Sequence, residues 1–523
     1  MKIQVGIAAL MTIASALAPA ICAQTATAAL KPGAMPAIAH VDQRFQSYNI
    51  EMIEVTGGRF WAPYKTGGDQ PADKHQAGPA GMPASLYRYR PPADLENPKL
   101  QKLAAALGPA YVRVSGTWAN STYFWDSDAP APQKPPAGFN GVLTRKEWRG
   151  VVDFAHAADA RIVTSFAISP GVRDPSGVWV PAEAEKLFKY TKSIGGKIAA
   201  AEMFNEPTYA MIGGAPKGFD AEAYARDFKA FRAYITKADP KLLILGPGGV
   251  GETGGLGHMP GMIRSEDILR DEGPGLDAFS YHYYGSVSQR CARMGPAGMG
   301  MTPEKALTEQ WLTLTLRDEA FYAALRDKYA PGKPIWLTET AETACGGDPW
   351  AADFIDSFRY LAQLGELAQK NVQVLMHNTL NASDYGLLNE STLDPRPNYW
   401  AAVLWRRLMG TTVLDTGATK QPNLYVYAQC LRGKRGGVAV LAINADREQA
   451  REITLPKDSK LYTLTAPDLL GTAALLNGVE LKAADDGTLP AMDPAAQSAG
   501  TVALKPLSIN FLAIPGAKNA ACR

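Results

Sequence analysis

Short hydrophobic runs alternate with segments of helical periodicity through most of the chain. The runs are continuously apolar, which is typical of strands buried on both faces of a parallel sheet. Eight predicted strands lie at residues 48–55, 110–114, 161–168, 199–204, 242–245, 278–283, 334–338 and 372–377. Predicted helices lie at residues 145–158, 182–193, 221–237, 303–329, 350–369 and 398–408. Eight units over about 350 residues predict an α/β fold, a (β/α)8 TIM barrel with long loops.

A doubly wound open sheet is the alternative fold for such an alternation. It is disfavoured because no GxGxxG sequence follows an early strand, where a dinucleotide-binding sheet would carry it. Beyond about residue 414 the alternation gives way to short strand-like stretches separated by turn-rich segments, and no long helical pattern is present. This pattern predicts a β-sandwich. We expect a catalytic barrel over residues 45–410 and a sandwich domain over 411–523, completed by an N-terminal strand near residues 40–47.

Composition excludes several classes of protein. The chain has 523 residues, with 53 basic and 51 acidic side chains and a net charge of +2. A nucleic-acid-binding protein would need a basic patch, which this balance does not provide, so we expect no nucleic-acid partner. Hydrophobic residues make up 46% of the chain, which is enough to build large cores and excludes disorder as a whole.

The N-terminus is typical of a secretory signal peptide. Lys2 precedes a short apolar stretch at residues 7–18, and Ala26-Thr27-Ala28 offers a cleavage site. We assign residues 1–28 to the signal peptide and leader, and expect a secreted or periplasmic protein. A lipoprotein reading through Cys22 is disfavoured because Ile21 is too large for that cleavage. No later segment offers 18 consecutive apolar residues, so we expect no membrane span.

Export changes the interpretation of the cysteines. Cys291, Cys345, Cys430 and Cys522 remain after the signal peptide is removed. An even number in an oxidising compartment predicts two disulfides, with three possible connectivities. No CxxC or HExxH spacing occurs, so we expect no zinc site, no other metal and no cofactor.

Two glutamates at strand ends carry the candidate chemistry. The fourth strand runs on into Asn205-Glu206-Pro207, and the seventh contains Thr338-Glu339-Thr340. Glutamate is costly at the end of a buried strand unless it is paired or used. On strands three apart in an eight-stranded ring, Glu206 and Glu339 can face each other across the barrel mouth. Carboxylates about 5–5.5 Å apart form the pair of a retaining glycosidase.

Two neighbouring glutamates compete with this pair. Glu202 is four residues before Glu206, so in an ideal strand it points to the same side but lies about 13 Å deeper, which suits a structural group. Glu342 lies three residues past Glu339 and is the second choice of nucleophile.

The chain resembles glycoside hydrolase family 79, the heparanase-like β-glucuronidases, within the large clan of retaining (β/α)8 glycosidases. Asn205-Glu206-Pro207 matches the acid/base strand of the family, and residues 336–340 match its nucleophile strand. Two longer stretches resemble this family in particular: residues 394–400, and the tail from residue 476 to Cys522. The resemblance runs from about Phe45 to Cys522.

The resemblance implies a role for each matching residue. Glu339 is the implied nucleophile, Glu206 the acid/base, and Asn205 the partner of the sugar 2-hydroxyl. Gly346, Gly347 and Tyr385 correspond to the groups that bind the C6 carboxylate of a glucuronate. Glu51 and Thr117 match glycone-binding residues, and Tyr284 would hydrogen-bond the nucleophile. The tail includes the cysteine that pairs with the counterpart of Cys430, and we expect the disulfides Cys430–Cys522 and Cys291–Cys345.

The resulting hypothesis is a secreted, monomeric, retaining β-glucuronidase that acts on glucuronate-containing glycans such as heparan sulfate. The alternatives are a related enzyme for neutral glycans, of xylanase or arabinofuranosidase type, and a non-catalytic carbohydrate-binding relative. Endo or exo action stays open. Arg290 and Arg293 are candidates for binding a polyanion, although solvated surface charge is favoured, and His377 is expected to be a buried structural histidine.

Overall fold

The structure is a computed structural model that describes residues 28–64, 83–254, 260–272, 275–293 and 300–523. The predicted signal peptide lies outside the described residues, except for Ala28. The α-helices are α1 (Met52–Thr56), α2 (Pro98–Ala105), α3 (Arg145–Ala157), α4 (Ala182–Ser193), α5 (Ala221–Ala238), α6 (Ser265–Glu272), α7 (Gln289–Ala292), α8 (Glu309–Leu312), α9 (Thr315–Tyr329), α10 (Asp356–Gln369) and α11 (Pro397–Leu408).

The first fourteen strands include the eight strands of the barrel. They are β1 (Ala28–Ala29), β2 (Ala37–His40), β3 (Gln46–Glu51), β4 (Gly58–Trp61), β5 (Tyr87–Arg90), β6 (Ala110–Ser115), β7 (Thr122–Trp125), β8 (Gly141–Thr144), β9 (Ala160–Ser165), β10 (Ile198–Glu202), β11 (Leu243–Gly249), β12 (Ala278–Tyr283), β13 (Ile335–Thr340) and β14 (Val374–His377). The remaining ten are β15 (Met409–Leu414), β16 (Leu424–Leu431), β17 (Val438–Asn444), β18 (Arg451–Leu455), β19 (Ser459–Thr465), β20 (Leu475–Leu476), β21 (Val479–Glu480), β22 (Ala495–Gln497), β23 (Gly500–Leu504) and β24 (Ser508–Ile514).

Eight parallel strands close into a barrel, which confirms the predicted fold class. Their order around the ring is β3, β6, β9, β10, β11, β12, β13 and β14, and β14 pairs with β3 to complete it. The carboxyl ends of all eight strands therefore meet at one face, where the loops can bring functional side chains together. Helices cover the outside of the barrel, and buried side chains such as Trp148, Phe228 and Trp400 fill the space between.

The first barrel strand is shorter than the sequence pattern predicts. It ends at Glu51, and Met52–Thr56 forms a helix, because the Glu54 carboxylate accepts a hydrogen bond from the backbone N–H of Glu51 at 2.6 Å and caps the helix. Similarly, the predicted helix at 303–329 is two helices, α8 and α9.

Two antiparallel sheets form the β-rich C-terminal region. The larger sheet has the order β2-β15-β16-β17-β24-β19-β20-β21, with β22 also paired to β19. The smaller contains β1, β18 and β23. The N-terminal segment thus adds a strand to each sheet, at Ala28–Ala29 and Ala37–His40, whereas the pattern predicts one strand near residues 40–47. Apolar side chains from both sheets share one core, including Val440 and Leu512 of the larger sheet and Ile453 and Val502 of the smaller one.

Among the described helices, none is both long and apolar enough to cross a membrane.

Candidate active site

The barrel interior has an apolar layer below a polar one. Inward-facing side chains in the lower layer include Tyr111, Val163, Ala200, Ala278, Trp336 and Met376. Side chains two residues further along a strand point the same way. The same strands therefore present a second layer, which consists of Arg113, Ser165, Glu202, Ser280, Thr338 and Asn378. This polar layer is the floor on which the candidate catalytic groups lie.

Arg113 organises the floor. Its Nε and Nη2 atoms donate to Glu202 Oε2 at 3.0 and 2.8 Å, and its Nη1 donates to Glu339 Oε2 at 2.8 Å. The Nη2 atom also donates to Asn205 Oδ1 at 2.8 Å. Because the side chain is 1% exposed, these bonds replace water completely. Burial lowers the pKa of Arg113, but the charges of Glu202 and Glu339 outweigh it and raise the pKa above its usual range.

Glu202 belongs to this floor, as its depth in the strand predicts. Its Oε1 atom accepts hydrogen bonds from Ser280 and Thr338, each at 2.8 Å, while Oε2 is held by Arg113. Burial raises the pKa of Glu202, but the charge of Arg113 and these hydrogen bonds bring it below its usual range. With both oxygens occupied, Glu202 serves as a structural anion.

Glu206 lies four residues beyond the end of β10, in a strained conformation. Its backbone has φ +51° and ψ +63°, a left-handed geometry that costs a non-glycine residue about 1–3 kcal/mol. Pro207 follows and disfavours the right-handed helical region for the residue before it. The preceding Asn205 is fixed through its backbone, whose N–H donates to Asn120 Oδ1 at 2.8 Å and whose carbonyl accepts from Asn120 Nδ2 at 2.9 Å.

Glu339 reaches the barrel mouth because its strand is irregular. The register between β12 and β13 shifts between Tyr281 and His282, so that His282 pairs with Glu339. Such a bulge re-aims a side chain relative to the strand pattern. The Tyr284 hydroxyl donates to Glu339 Oε1 at 2.7 Å, as predicted for this tyrosine. Burial, and then the charge of Glu339, raise the pKa of Tyr284 well above its usual range, so it remains a donor.

His282 connects the two carboxylates. Its Nδ1 atom lies 3.0 Å from Glu206 Oε1 and 3.7 Å from Glu339 Oε2. Its Nε2 atom lies 3.2 Å from Arg113 Nη2. A guanidinium can only donate, so Nε2 is the acceptor and Nδ1 carries the hydrogen, which it donates to Glu206. The tautomer of His282 is thus assigned from its partners.

The carboxylates of Glu206 and Glu339 face each other. One ligand atom from each of Glu206, His282 and Glu339 lies within 4.8 Å of the other two. A cation placed among them would need the Nδ1 lone pair of His282, and that nitrogen carries a hydrogen. Arg113 also already supplies a positive charge beside Glu339. The cluster therefore fits an acid–base pair better than a metal centre.

A second polar group lies on the opposite side of the mouth from Glu206. Asn378 Nδ2 donates to Glu51 Oε1, the Tyr284 hydroxyl and the Tyr385 hydroxyl at 3.1, 3.1 and 3.2 Å. Burial, followed by the charge of Glu339, raises the pKa of Glu51 well above its usual range. Glu51 Oε2 is buried and has no hydrogen-bond partner among the described residues.

Gly116 makes room for Glu51. A Cβ atom at this position would lie 1.4 Å from Glu51 Oε2, and the backbone φ is +92°. Thr117 follows at the start of a 3-10 helix, Thr117–Ser121, and is half-buried. The structure therefore brings Thr117 to the mouth beside Glu51.

Gly346 and Gly347 form a tight turn against Tyr385. Their φ values are +85° and +83°, and a Cβ on Gly347 would lie 3.3 Å from Tyr385 Cβ. The carbonyl of Gly346 accepts from Ser383 Oγ at 2.9 Å, whereas the N–H groups of both glycines donate to none of the described residues. Left-handed turns of this kind expose amides to an anion. The expected Cys291–Cys345 disulfide is present immediately before the turn, and Cys430–Cys522 is present in the β-rich region.

Four other residues singled out in the sequence lie outside the candidate catalytic pair. Glu342 is 1% exposed, and its Oε2 atom accepts hydrogen bonds from the Thr343 hydroxyl and the Asp348 N–H. It therefore stabilises the loop after β13. His377 is buried, and its Nε2 bonds the Tyr385 carbonyl at 2.7 Å. Arg290 is not solvated surface charge: it is buried and pairs with Asp384 at 3.0 Å. Arg293 is exposed.

The sequence analysis missed Arg113, His282, Asn120 and Asn378. A charged residue within the apolar run Ala110–Ser115 was the available signal for Arg113, since a buried arginine requires partners. His282 stands two residues before Tyr284, in a strand that the sequence predicts.

Comparisons with known proteins agree with the sequence and the fold. No protein-family model matches the chain. The chain is 28% identical over 489 residues to a hyaluronoglucuronidase of Hirudo nipponia, covering 84% of this chain and 93% of that protein. It is 26% identical over 488 residues to heparanase-like protein 1 of Arabidopsis thaliana, covering 82% and 86%.

Solved structures share the fold. A 4-O-α-L-rhamnosyl-β-D-glucuronidase of Fusarium oxysporum 12S aligns with a TM-score of 0.62 and 13% identity, covering 94% of this chain and all of that one. At this identity the likeness concerns the barrel and its β-rich extension. The sequence similarity along most of the chain shows a glycosidase that resembles the heparanase-like proteins of glycoside hydrolase family 79.

Proposed function

We propose that the protein is a secreted retaining β-glucuronidase, with Glu339 as nucleophile and Glu206 as acid/base. The observation that carries this proposal is the spacing of the two side chains, whose nearest ligand atoms lie within 4.8 Å. Retaining glycosidases hold their carboxyl groups about 5–5.5 Å apart, whereas inverting enzymes need about 6.5–9.5 Å to admit a water molecule. The hydrogen bond from Tyr284 to Glu339 further supports the assignment of the nucleophile.

In the first step, a carboxylate oxygen of Glu339 attacks the anomeric carbon and the bond to the leaving oxygen breaks. Glu206 in its protonated form donates its proton to that oxygen. Because Oε1 of Glu206 accepts a hydrogen bond from His282, Oε2 is the atom that carries the proton. In the second step Glu206 accepts a proton from water, and the resulting hydroxide equivalent displaces Glu339 from the sugar.

Asn205 and the Glu51 group are proposed to bind the sugar hydroxyls. Arg113 holds Asn205 Oδ1, so Nδ2 is the atom left to donate to the 2-hydroxyl. Glu51 Oε2 and Thr117 would meet hydroxyls further from the anomeric carbon, since they lie across the mouth from Glu206. These contacts strengthen as the ring flattens toward an oxocarbenium ion, and so contribute to catalysis.

The C6 carboxylate of a glucuronate is proposed to bind at the turn after β13. The N–H groups of Gly346 and Gly347 and the Tyr385 hydroxyl are its donors. Burial, and then the charge of Glu51, raise the pKa of Tyr385 well above its usual range, so the hydroxyl keeps its proton. The names of the relatives, hyaluronoglucuronidase and heparanase-like protein, favour a glycosaminoglycan as substrate. Two disulfides fit an oxidising compartment.

Glu339→Gln tests the assignment. Its kcat on p-nitrophenyl β-D-glucuronide is expected to fall by about four orders of magnitude or more, because a neutral amide cannot attack the anomeric carbon. A 2-fluoro glucuronosyl fluoride should add one sugar mass to the wild-type protein, on the peptide that contains Glu339. Label on Glu342 instead, or activity retained in the variant, would contradict the proposal.

Aryl glycosides separate glucuronidase activity from action on neutral glycans. The p-nitrophenyl glucuronide should be preferred over the matching glucoside and xyloside, which lack the carboxylate. A preference for a neutral glycoside would overturn the substrate assignment while leaving the catalytic pair intact.

A further inference from the structure

The glycone is the sugar whose anomeric carbon is attacked. The residues that would surround the glycone lie across the barrel mouth from the leaving group. Glu206 follows the fourth strand of the ring, β10. Glu51 and Asn378 follow β3 and β14, on the far side of the ring. A sugar held between them directs its leaving group toward β10 and its O3 and O4 atoms toward the loops after β3 and β14.

A hairpin stands directly behind this position. Strands β4 and β5 pair antiparallel, with Gly58 opposite Arg90 and Trp61 opposite Tyr87. Phe60 packs on Trp118 with ring centroids 5.2 Å apart, and Trp61 stacks on Tyr87 at 4.6 Å. Phe60 belongs to the same apolar cluster as Tyr385, and Trp61, Trp118 and Tyr284 pack against that cluster. The hairpin is therefore part of the wall of the candidate site.

The base of the hairpin is fixed to the site by charge. Arg90 pairs with Glu54 at 3.1 Å, and Glu54 in turn accepts from the backbone N–H of Glu51. Arg88 pairs with Glu390 on the loop after β14. Both partners of each pair are at most half-exposed, so these bonds are screened less than surface pairs.

The segment that follows β4, at Ala62 and Tyr64, is joined to other loops of the barrel mouth through Arg290. The Tyr64 backbone N–H donates to Asp384 Oδ2 at 3.0 Å, and the Arg290 N–H donates to the Tyr64 hydroxyl at 2.9 Å. The Arg290 guanidinium pairs with Asp384, bonds the Ala62 carbonyl and lies 3.8 Å from the Tyr64 ring centroid. The neighbouring disulfide Cys291–Cys345 ties the loop after β12 to the loop after β13.

We infer that the glycone side of the site holds a single sugar, so that the enzyme removes terminal glucuronosyl residues from the non-reducing end. The inference rests on the proposed function, which sets the direction of the sugar. The wall consists of the hairpin β4–β5, Trp118, Arg290 and Asp384. A second sugar on O3 or O4 would have to occupy the space of this wall. Hydrolysis still breaks the glycosidic bond with one water, and the product is free glucuronate.

Two chromogenic substrates that differ only on the glycone side test this inference. One is p-nitrophenyl β-D-glucuronide, and the other carries an N-acetyl-α-D-glucosaminyl group on O4 of the same glucuronide. Because the leaving group is identical, their kcat/KM ratio reports the glycone side alone. We expect the O4-substituted substrate to be slower by about a hundredfold or more, since the added sugar clashes with the wall.

Each outcome decides between the possibilities. A ratio above tenfold in favour of the unsubstituted glucuronide supports terminal action. A ratio below tenfold, or a preference for the substituted substrate, overturns it and indicates a cleft that accepts internal residues. Hydrolysis of neither substrate overturns the proposed function itself, and the terminal action with it.

Discussion

At the scale of single residues, Arg113 is the group on which the site depends. One guanidinium contacts Glu202, Glu339, Asn205 and His282, and so joins the strands that supply the two candidate catalytic carboxylates. Burying such a charge is expensive, and it is tolerated only where partners satisfy its donors. Five donors in a planar fork suit these four partners, and a lysine ammonium has no comparable geometry.

Arg113→Lys therefore separates charge from geometry. The variant is expected to lose about a hundredfold in kcat/KM on p-nitrophenyl β-D-glucuronide, because Glu339 and Asn205 lose their fixed donors and shift. It should also unfold at lower urea concentration. Arg145→Lys, at an exposed pair with Asp126 and Asp128, is the matched control and should change neither quantity. Activity of the Arg113 variant within threefold of the wild type would contradict this role.

The sequence predicted the polar ends of the strands better than their inward faces. Glu206 and Glu339 lie at the ends of apolar runs, where a buried charge is costly unless it has a function, so the sequence alone indicates both. Arg113 and His282 required knowledge of which strand face points into the barrel. For His282 this depended on the register shift between β12 and β13, which no pattern of apolar residues reports.

At the scale of elements, the loops after β3 and β6 fit together through a glycine. Gly116 follows β6 and lies against the carboxylate of Glu51 at the end of β3. The end of β3 and the loop after β6 thus approach more closely than they could if residue 116 had a side chain. The contact fixes the orientation of a residue that is proposed to bind the glycone.

Gly116→Ala should disrupt this contact, and Gly177→Ala is its control. Both positions have positive φ, +92° and +84°, so both variants bear the backbone strain of about 1 kcal/mol. Only at Gly116 does a Cβ meet another atom, whereas none lies within 4 Å at Gly177. We expect both to lose some stability in urea, but only the Gly116 variant to lose kcat/KM. Equal kinetics in the two variants would contradict the packing argument.

Elements with a strong local signal were predicted closely, and those set by tertiary contacts were not. Helix α3 begins at Arg145, as predicted, and ends at Ala157, one residue before the predicted bound; in the structure, Thr144 and Glu147 form a capping box at its start. The hairpin β4–β5 lies outside the predicted strands, because its two strands are short and a long segment separates them. Its stability comes from Trp118 and Tyr385, which lie far away in the sequence.

At the scale of the whole molecule, the two disulfides link different regions of the chain. Cys430–Cys522 closes a 92-residue separation within the β-rich region and ties the tail to β16. Cys291–Cys345 closes a 54-residue separation between two loops at the barrel mouth, next to Gly346. Both restrict the unfolded chain, but only the second borders the candidate site.

Paired serine variants test this division. Replacing both cysteines of either disulfide is expected to cost about 2–5 kcal/mol of stability, measured by urea unfolding. Cys291→Ser with Cys345→Ser should also raise KM for the aryl glucuronide, because the Gly346–Gly347 turn loses its support. Cys430→Ser with Cys522→Ser should leave the kinetics unchanged. A change in KM confined to the second pair would refute the division.

The strands that the N-terminal segment adds to the two C-terminal sheets set an order of assembly. His40 pairs with Thr412, and Asn519 Nδ2 donates to the carbonyls of Pro32 and Met35 at 2.7 and 2.8 Å. During synthesis, the earliest of these segments must wait for partners that emerge after the whole barrel has been made. Such distant pairings slow folding, so we expect the N-terminal strands to join the two sheets late, after the barrel residues have been made.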